Sequence, residues 1–519
     1  MLYNNNATHI RRELLVKLAS LAFQGMLKEK IDRVPLEMIP KGLPSIRCCI
    51  HHDRAVIKYR LMAMLGFAVE KETDELRPLS SYAEEALKRT AVEDPVLTVI
   101  DEACSACVQS HYFVTNACRG CVARPCVLNC PKKAIQMING QARIDPSLCV
   151  NCGLCQKVCP YHAIVKVPVP CEEACPVGAI TKDSQGKEHI DFSKCIYCGK
   201  CMSECPFGAI VERSQMLDVI RALQSGKPVV ALVAPAIVGQ FPGDYPQLVS
   251  ALRKLGFHRV YEVAEGADTT IHREAEELLE RVHRGEPFMT TSCCPAYTRC
   301  AEIHIPELKP YISTTKSPML YTAEKAREEV GEGVLVFIGP CVAKKEEALK
   351  SGLLDFVLNT EELGALLVAK EIDIPHCEPE TLLESPSAGA RAFPIVGKVS
   401  QAVAEKVREI AAKNKISGVQ VSPFVVDGID RQNIKLLRQA VKTKPDGNLV
   451  EVMACQGGCV AGPITISKPN LAAKKIEDWI RKSAVQKNAR EGQEANQKAN
   501  EEANQKADRE KVPAALGKR

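Results

Sequence analysis

The chain has 519 residues, 46% hydrophobic and 25% charged, with a net charge of +5. That is enough length for several domains and a large core, and too little positive charge for a dedicated nucleic-acid binder. The amino-terminal stretch has no basic segment leading into an apolar run, and nowhere do about 18 apolar residues follow one another, so we expect a cytoplasmic protein with no membrane partner. Twenty-five cysteines, clustered in a long chain, point to thiolate metal ligands and away from a disulfide scaffold.

Residues 1–94 show helical periodicity at Ile10, Leu14, Leu15 and Leu18 and again at Ile57, Leu61, Met64 and Leu65, which predicts a helical amino-terminal domain. Its stretch "RCCIHHDRAVIKYR" could hold a metal through Cys48, Cys49, His51 and His52, or could simply place thiols beside a basic surface helix. Residues 95–213 are dense in cysteine and poor in apolar runs, so inorganic clusters would have to hold them together. From residue 214 to 484 the apolar runs "PVVALVAPA" (228–236), "GVLVFIGPC" (333–341) and "NLVEVMAC" (448–455) alternate with helical stretches and read as buried strands of an α/β domain. Residues 485–519 contain the near repeat "QEANQKAN" and "EEANQKAD", a low-complexity tail expected to be disordered or a lone helix.

Two stretches carry the bacterial ferredoxin spacing C-x2-C-x2-C-x3-C-P: Cys149, Cys152, Cys155, Cys159 and Cys195, Cys198, Cys201, Cys205. Three close thiolates wrap one 4Fe-4S cube, and the fourth ligates the other cluster of the pair. A zinc site would leave the third cysteine and the C-P unexplained. A looser run, Cys118, Cys121, Cys126 and Cys130, pairs with the first of these. Cross-ligation then gives one cluster on Cys118, Cys121, Cys126 and Cys159 and another on Cys149, Cys152, Cys155 and Cys130. The half motif Cys171-x3-Cys175-P, with "CSAC" (Cys104, Cys107) far upstream as its front half, would nest one ferredoxin module inside another. A third cluster would sit on Cys195, Cys198, Cys201 and Cys175, and a fourth on Cys104, Cys107, Cys171 and Cys205; the alternative is three clusters with spare thiols.

In the α/β region Cys294 follows "PFMTTSC", Cys341 ends "VLVFIGPC", and Cys455 and Cys459 flank Gly457-Gly458. One helical turn would put the last two on one face, the glycines would let a bulky group approach, and open α/β sheets place ligands at strand carboxyl ends. Four thiolates suit one more cube.

These motifs, TSCCP, PC-x2-K-x2-E and E-x-MAC-x-GGC-x-x-G, resemble the three active-site signatures of iron-only (FeFe) hydrogenases, and the resemblance runs from about Cys104 to Pro463. It implies reversible reduction of protons to H2 at an H-cluster: a cube held by Cys294, Cys341, Cys455 and Cys459, with Cys459 bridging to a two-iron subsite carrying CO, cyanide and azadithiolate. Lys344 matches the lysine that donates to a cyanide, and Pro235 the proline lining the subsite; Lys345 is expected on the surface. Cys293, left without iron, matches the thiol that relays protons. The stretch 266–285 reads as a helix with an apolar stripe of Ile271, Ala275, Leu278 and Val282. On the resemblance, Glu274, Ser313 and Glu277 continue the relay, with Arg281 at its outer end. A solvated acidic face would account for these glutamates as it does for Glu276 and Glu280.

The implied partners are ferredoxin or a similar carrier and the hydrogenase maturation proteins. The chain departs from the family pattern at Gly339, Tyr297, Met319 and "GPITIS", which should loosen the pocket around the two-iron subsite and remove a cyanide donor. An H2-sensing relative, or an iron-sulfur scaffold lacking the two-iron subsite, are the competing functions; the retained Cys293, Lys344 and Cys459 argue against them. His304, His376, Cys300 and Cys377 are expected to serve packing or to lie on the surface.

Overall fold

The computed structural model describes residues 5–90, 94–104, 107, 111–380, 382, 385–416 and 418–484. The low-complexity tail lies outside the described residues. Among those described, no helix is long and apolar enough to cross a membrane.

The cysteine-rich region is two small antiparallel modules, one inserted into the other. The outer module pairs β1 (Leu97–Val99) with β8 (Ile210–Glu212) and closes on a hairpin of β6 (Ile180–Lys182) and β7 (Glu188–Ile190). The inner module repeats the plan, pairing β2 (His111–Val114) with β5 (Ile164–Val167) around the hairpin β3 (Ile135–Ile138) and β4 (Gln141–Ile144). Its own apolar cluster is small and made largely of Tyr112, Ile135, Ala142 and Ile164 with cysteines between them. So short a core is marginal by itself, as expected of a domain held by clusters.

The rest of the chain builds two parallel sheets. β9 (Val229–Val233), β10 (Arg259–Glu262), β12 (Val334–Ile338) and β13 (Phe356–Leu358) lie in the order β10-β9-β12-β13, and β11 (Met289–Thr290), β14 (Pro423–Asp427) and β15 (Leu449–Met453) in the order β11-β15-β14. β9 and β15 are buried along their whole length, which is why their sequences read as unbroken apolar runs. The helix Ala264–His283 runs from the end of β10 and packs on the helices Pro318–Val330 and Lys398–Lys413.

Helices fill the amino-terminal region as its periodicity predicts, and they share one core with the α/β region. Helix Asn6–Phe23 lies on helices Thr360–Ala369 and Met216–Gln224, and its Leu14, Leu15 and Leu18 belong to the same buried cluster as Val229 and Val336. Helix Ile50–Met64 instead crosses beside β8 of the outer module.

Candidate active site

Four parallel strands deliver the site. Pro235 follows β9, Cys293 and Cys294 follow β11, Cys341 follows β12, and Cys455 and Cys459 follow β15. All six line one cavity of about 930 Å³, with Lys344, Met319, Phe337, Phe393 and Met453 among its walls. The wall is apolar apart from the thiols and the lysine. Burial pushes Cys341 up to about 11, Cys459 up to about 12 and Cys455 well above an ordinary thiol. Thiols this dry do not ionise alone; soft, cationic iron among them offsets that cost, so the donor set fits a cluster.

Cys455 and Cys459 reach the cavity by a route other than the expected helical turn. The chain between them turns with Gly457 at φ 88° and Gly458 at φ 89°, a region L side chains avoid. A Cβ on Gly458 would lie 2.5 Å from the Pro394 carbonyl oxygen, so the close approach that requires glycine is to the 394–396 backbone.

Lys344, on helix Ala343–Ser351, is buried with its ammonium 2.6 Å from the Glu347 carboxylate. The two correspond to the K and E of PC-x2-K-x2-E, so the motif encodes a charge and its counter-ion. The expectation that Lys345 is a surface charge is overturned. Only 1% exposed, it sits 3.0 Å from Glu212 and 3.5 Å from Glu362, because its helix turns it into the seam between β8 and the Thr360–Ala369 helix. Ser214 and Asn359 donate to the same two carboxylates. At Gly339 the pocket is not loosened, since the Phe337 ring occupies the space a Cβ would take, at 2.6 Å. Tyr297 is buried, its hydroxyl 2.6 Å from Thr290. Cys300 and Cys377 are buried as packing residues, His376 is exposed beside Asp373, and His304 bonds the Lys194 carbonyl.

Helix Ala264–His283 turns Glu274, Glu277 and Arg281 inward, while Glu280 is exposed. Glu274 is fully buried; its Oε1 accepts the Ser292 N–H at 3.0 Å and the Ser292 hydroxyl at 3.3 Å, and its Oε2 has no hydrogen-bond partner. Burial pushes it up to about 7 against the pull of Ser292, and burial, followed by the Glu274 charge, raises the Cys293 thiol. Ser313 donates to Glu277 Oε2 at 2.8 Å, and Arg281 donates to Glu277 Oε1 at 2.8 Å. Desolvation works against ionising Glu277, but its donors outweigh it and keep the carboxyl below its ordinary value. Among the described residues these bonds form an inner and an outer half. Thr315 bridges them, its carbonyl taking the Ser292 hydroxyl at 2.6 Å and its N–H reaching Ser313 Oγ at 3.2 Å. Ser292 and Thr315 were missed in the sequence; a hydroxyl directly before the two cysteines was the available signal.

Among the described accessory cysteines, those of the inner module fall into two groups. Cys118, Cys121, Cys126 and Cys159 line one void of about 330 Å³, and Cys130, Cys149, Cys152 and Cys155 another of about 340 Å³. In the outer module Cys195 is raised by burial and then by the charges of Cys198 and Cys175, Cys201 by burial and then by Cys198, Cys195, Cys175 and Cys171, and Cys171 by burial, Glu188 and then Cys205, Cys104 and Cys107. Cys198 also lines the active-site cavity. Gly199 beside it, at φ 73°, would clash through a Cβ with Pro463 at 2.5 Å, so the cluster loop lies tight against the catalytic region. Among the described residues no three His, Cys, Asp or Glu side chains converge closely enough for a single metal ion.

A cysteine-walled cavity at the ends of parallel strands, fed by ferredoxin-like modules, defines an iron-sulfur oxidoreductase architecture. Residues 227–463 match the iron only hydrogenase large subunit, C-terminal domain, and residues 142–165 and 188–211 match the 4Fe-4S binding domain. Over 303 residues the chain is 30% identical to the periplasmic Fe hydrogenase large subunit of Nitratidesulfovibrio vulgaris, aligning 48% of this chain with 72% of that protein. It is 29% identical over 317 residues to Iron hydrogenase 1 of Clostridium pasteurianum, covering 51% of this chain and 54% of that one. It is also 26% identical over 266 residues to the cytosolic Fe-S cluster assembly factor narfl of Danio rerio, covering 42% and 64%. The chain belongs to the iron-only (FeFe) hydrogenase family.

Proposed function

We propose that the chain catalyses the reversible reduction of protons to H2, exchanging electrons through four 4Fe-4S clusters with ferredoxin or a carrier like it. The observation that carries this reading is the pairing of a buried thiol outside the four-cysteine set with a buried carboxyl poised near neutrality: Cys293 on the cavity wall, with Glu274 acting on it. A scaffold for clusters has no need of a titratable group there.

Cys294, Cys341, Cys455 and Cys459 would hold the cube. When bound, with its two-iron subsite carrying CO, cyanide and azadithiolate, the H-cluster supplies electrons and an iron able to bind hydrogen. Everything else falls to the chain. Lys344, fixed by Glu347, presents a cationic donor to a dry wall, where a hydrogen bond to an anionic ligand is strongest. Met319, Phe337 and Met453 exclude water. Cys293 holds a proton at Sγ and exchanges it with Glu274. Ser292 and the Thr315 backbone hold the inner carboxyl in register with the outer group of Ser313, Glu277 and Arg281. The carboxyl values suit the direction: the inner one, near 7, takes and releases protons, while the outer one stays ionised to receive them.

The test is to produce the full chain with the hydrogenase maturation proteins and record infrared spectra and H2 turnover. CO and cyanide bands with turnover support the proposal. Absence of those bands would instead support a scaffold, the reading favoured by the resemblance to the assembly factor. Bands without turnover would mark a sensor.

A further inference from the structure

The amino-terminal helices have no part in the site above, yet one of them grips both ends of the outer module's ligand set. Helix Ile50–Met64 presents His52 and Arg60, eight residues apart and so about 80° apart around the helix, along one broad side of it. His52 Nε2 lies 2.8 Å from the carbonyl oxygen of Glu102, two residues before Cys104. Arg60 Nη2 donates to the Phe207 carbonyl at 2.9 Å and reaches the Gly208 carbonyl at 3.5 Å, in the loop just after Cys205. A Cβ on Gly208 would lie 3.0 Å from that same Nη2.

Arg60 is 5% exposed, and among the described residues its guanidinium donates to backbone carbonyls and to no carboxylate. Burial, and after it the charges of Arg47 and Arg11, lower it to about 10, which still leaves it charged at neutral pH. A desolvated cation among cations needs an anion close by. Cys205 and, after it, the buried Asp53 act on it in that sense, and Cys205 belongs to the group Cys104, Cys107, Cys171 and Cys205. A 4Fe-4S cluster on four thiolates is anionic and gains a further negative charge on reduction.

We propose that Arg60 sets the reduction potential of the cluster held by Cys104, Cys107, Cys171 and Cys205, and that helix Ile50–Met64 is part of that cluster's site. A fixed buried positive charge favours the reduced, more negative cluster and so raises its potential. Arg60 acts as a positioning and tuning residue; it takes no electron itself. The proposal rests on the reading that this fourth cluster exists.

The experiment is an electron paramagnetic resonance redox titration of the iron-loaded full chain, with iron quantified in each sample. Arg60→Gln should move one cluster signal to a more negative midpoint, with the oxidised-to-reduced ratio at fixed potential rising about tenfold, or about 59 mV for one electron, and leave the others in place. Arg60→Lys, which keeps the charge, should hold the wild-type midpoint. Unmoved midpoints in Arg60→Gln with full iron overturn the proposal, as does an equal shift in Arg60→Lys, which would show packing and not charge at work. If Arg60→Gln loses iron, Ala7→Glu decides, because Ala7 Cβ lies 3.2 Å from the Cβ position of Gly208 and a carboxylate there opposes Arg60 without removing it. Ala7→Glu must then shift the same signal in the same direction; no shift overturns the proposal. A wild-type chain four irons short would remove the cluster reading and this inference with it, whereas full iron with unmoved midpoints removes the inference alone.

Discussion

Replacing Glu274 by glutamine should yield a variant that is sturdier at alkaline pH and nearly dead. Raising this carboxyl from its ordinary 4.5 to about 7 means that ionising it in place costs about 3 kcal/mol, at about 1.4 kcal/mol per pH unit. The side chain is fully buried, so solvent screening does not reduce the figure much. Because the folded value lies above the unfolded one, the stability linked to this group is fully present below about pH 4.5 and is lost as pH rises through 7. Glutamine fits the same hydrogen bonds, its oxygen accepting from Ser292 N–H and its amide taking the place of the unpartnered Oε2, but it cannot ionise. Glu274→Gln should therefore have a higher denaturant midpoint than wild type at pH 8 and a nearly equal one at pH 4. H2 turnover should fall by about 10²–10⁴, the usual contribution of a positioned proton carrier. Guanidinium unfolding at the two pH values and H2 evolution with a chemical reductant read both effects. Turnover within a few-fold of wild type, or a stability difference that does not change with pH, would refute the reasoning.

Cys293→Ala should keep its iron and its infrared bands while losing most turnover, whereas Cys294→Ala should lose the active-site cluster; iron analysis with spectroscopy separates the two. Gly458→Ala forces a Cβ to 2.5 Å from the Pro394 carbonyl at a φ of 89°, so iron held by Cys455 and Cys459 should be lost at lower temperature than in wild type. Lys345→Met leaves Glu212 and Glu362 buried without their cation, and should lower stability at pH 8 by about 3–5 kcal/mol, with a smaller loss at pH 5, where Glu212, already pushed up to about 7 by burial, is protonated. Denaturant midpoints at the two pH values test it.

What could be read in the sequence was what is local along the chain. The ferredoxin spacings, the strands ending in cysteine and the helix carrying Glu274 and Glu277 are all written within a few residues, so spacing and periodicity suffice. Long-range ion pairs were not legible. Lys345 looks like the second half of a surface Lys-Lys pair because Glu212 and Glu362 lie far away in the chain. The 455–459 segment misled for another reason: a four-residue spacing suggests a helical turn, but two left-handed glycines redirect the backbone. Gly339 likewise promised a hole that Phe337, two residues earlier, fills.

The insertion of one module into another gives the protein a detachable antenna. Chain order and spatial order differ: the cysteines in the middle of the cysteine-rich sequence line the voids of the inner module, while the outer module, assembled from both ends of that sequence, holds Cys198 against the active-site cavity. In our assignment the inner pair lends no thiol to the outer pair, and β2 and β5 leave side by side. A cassette of that form can be trimmed, duplicated or exchanged for another while the strands that carry the cavity cysteines stay intact, so the cluster-binding part of the chain can evolve separately from the cysteine-walled cavity.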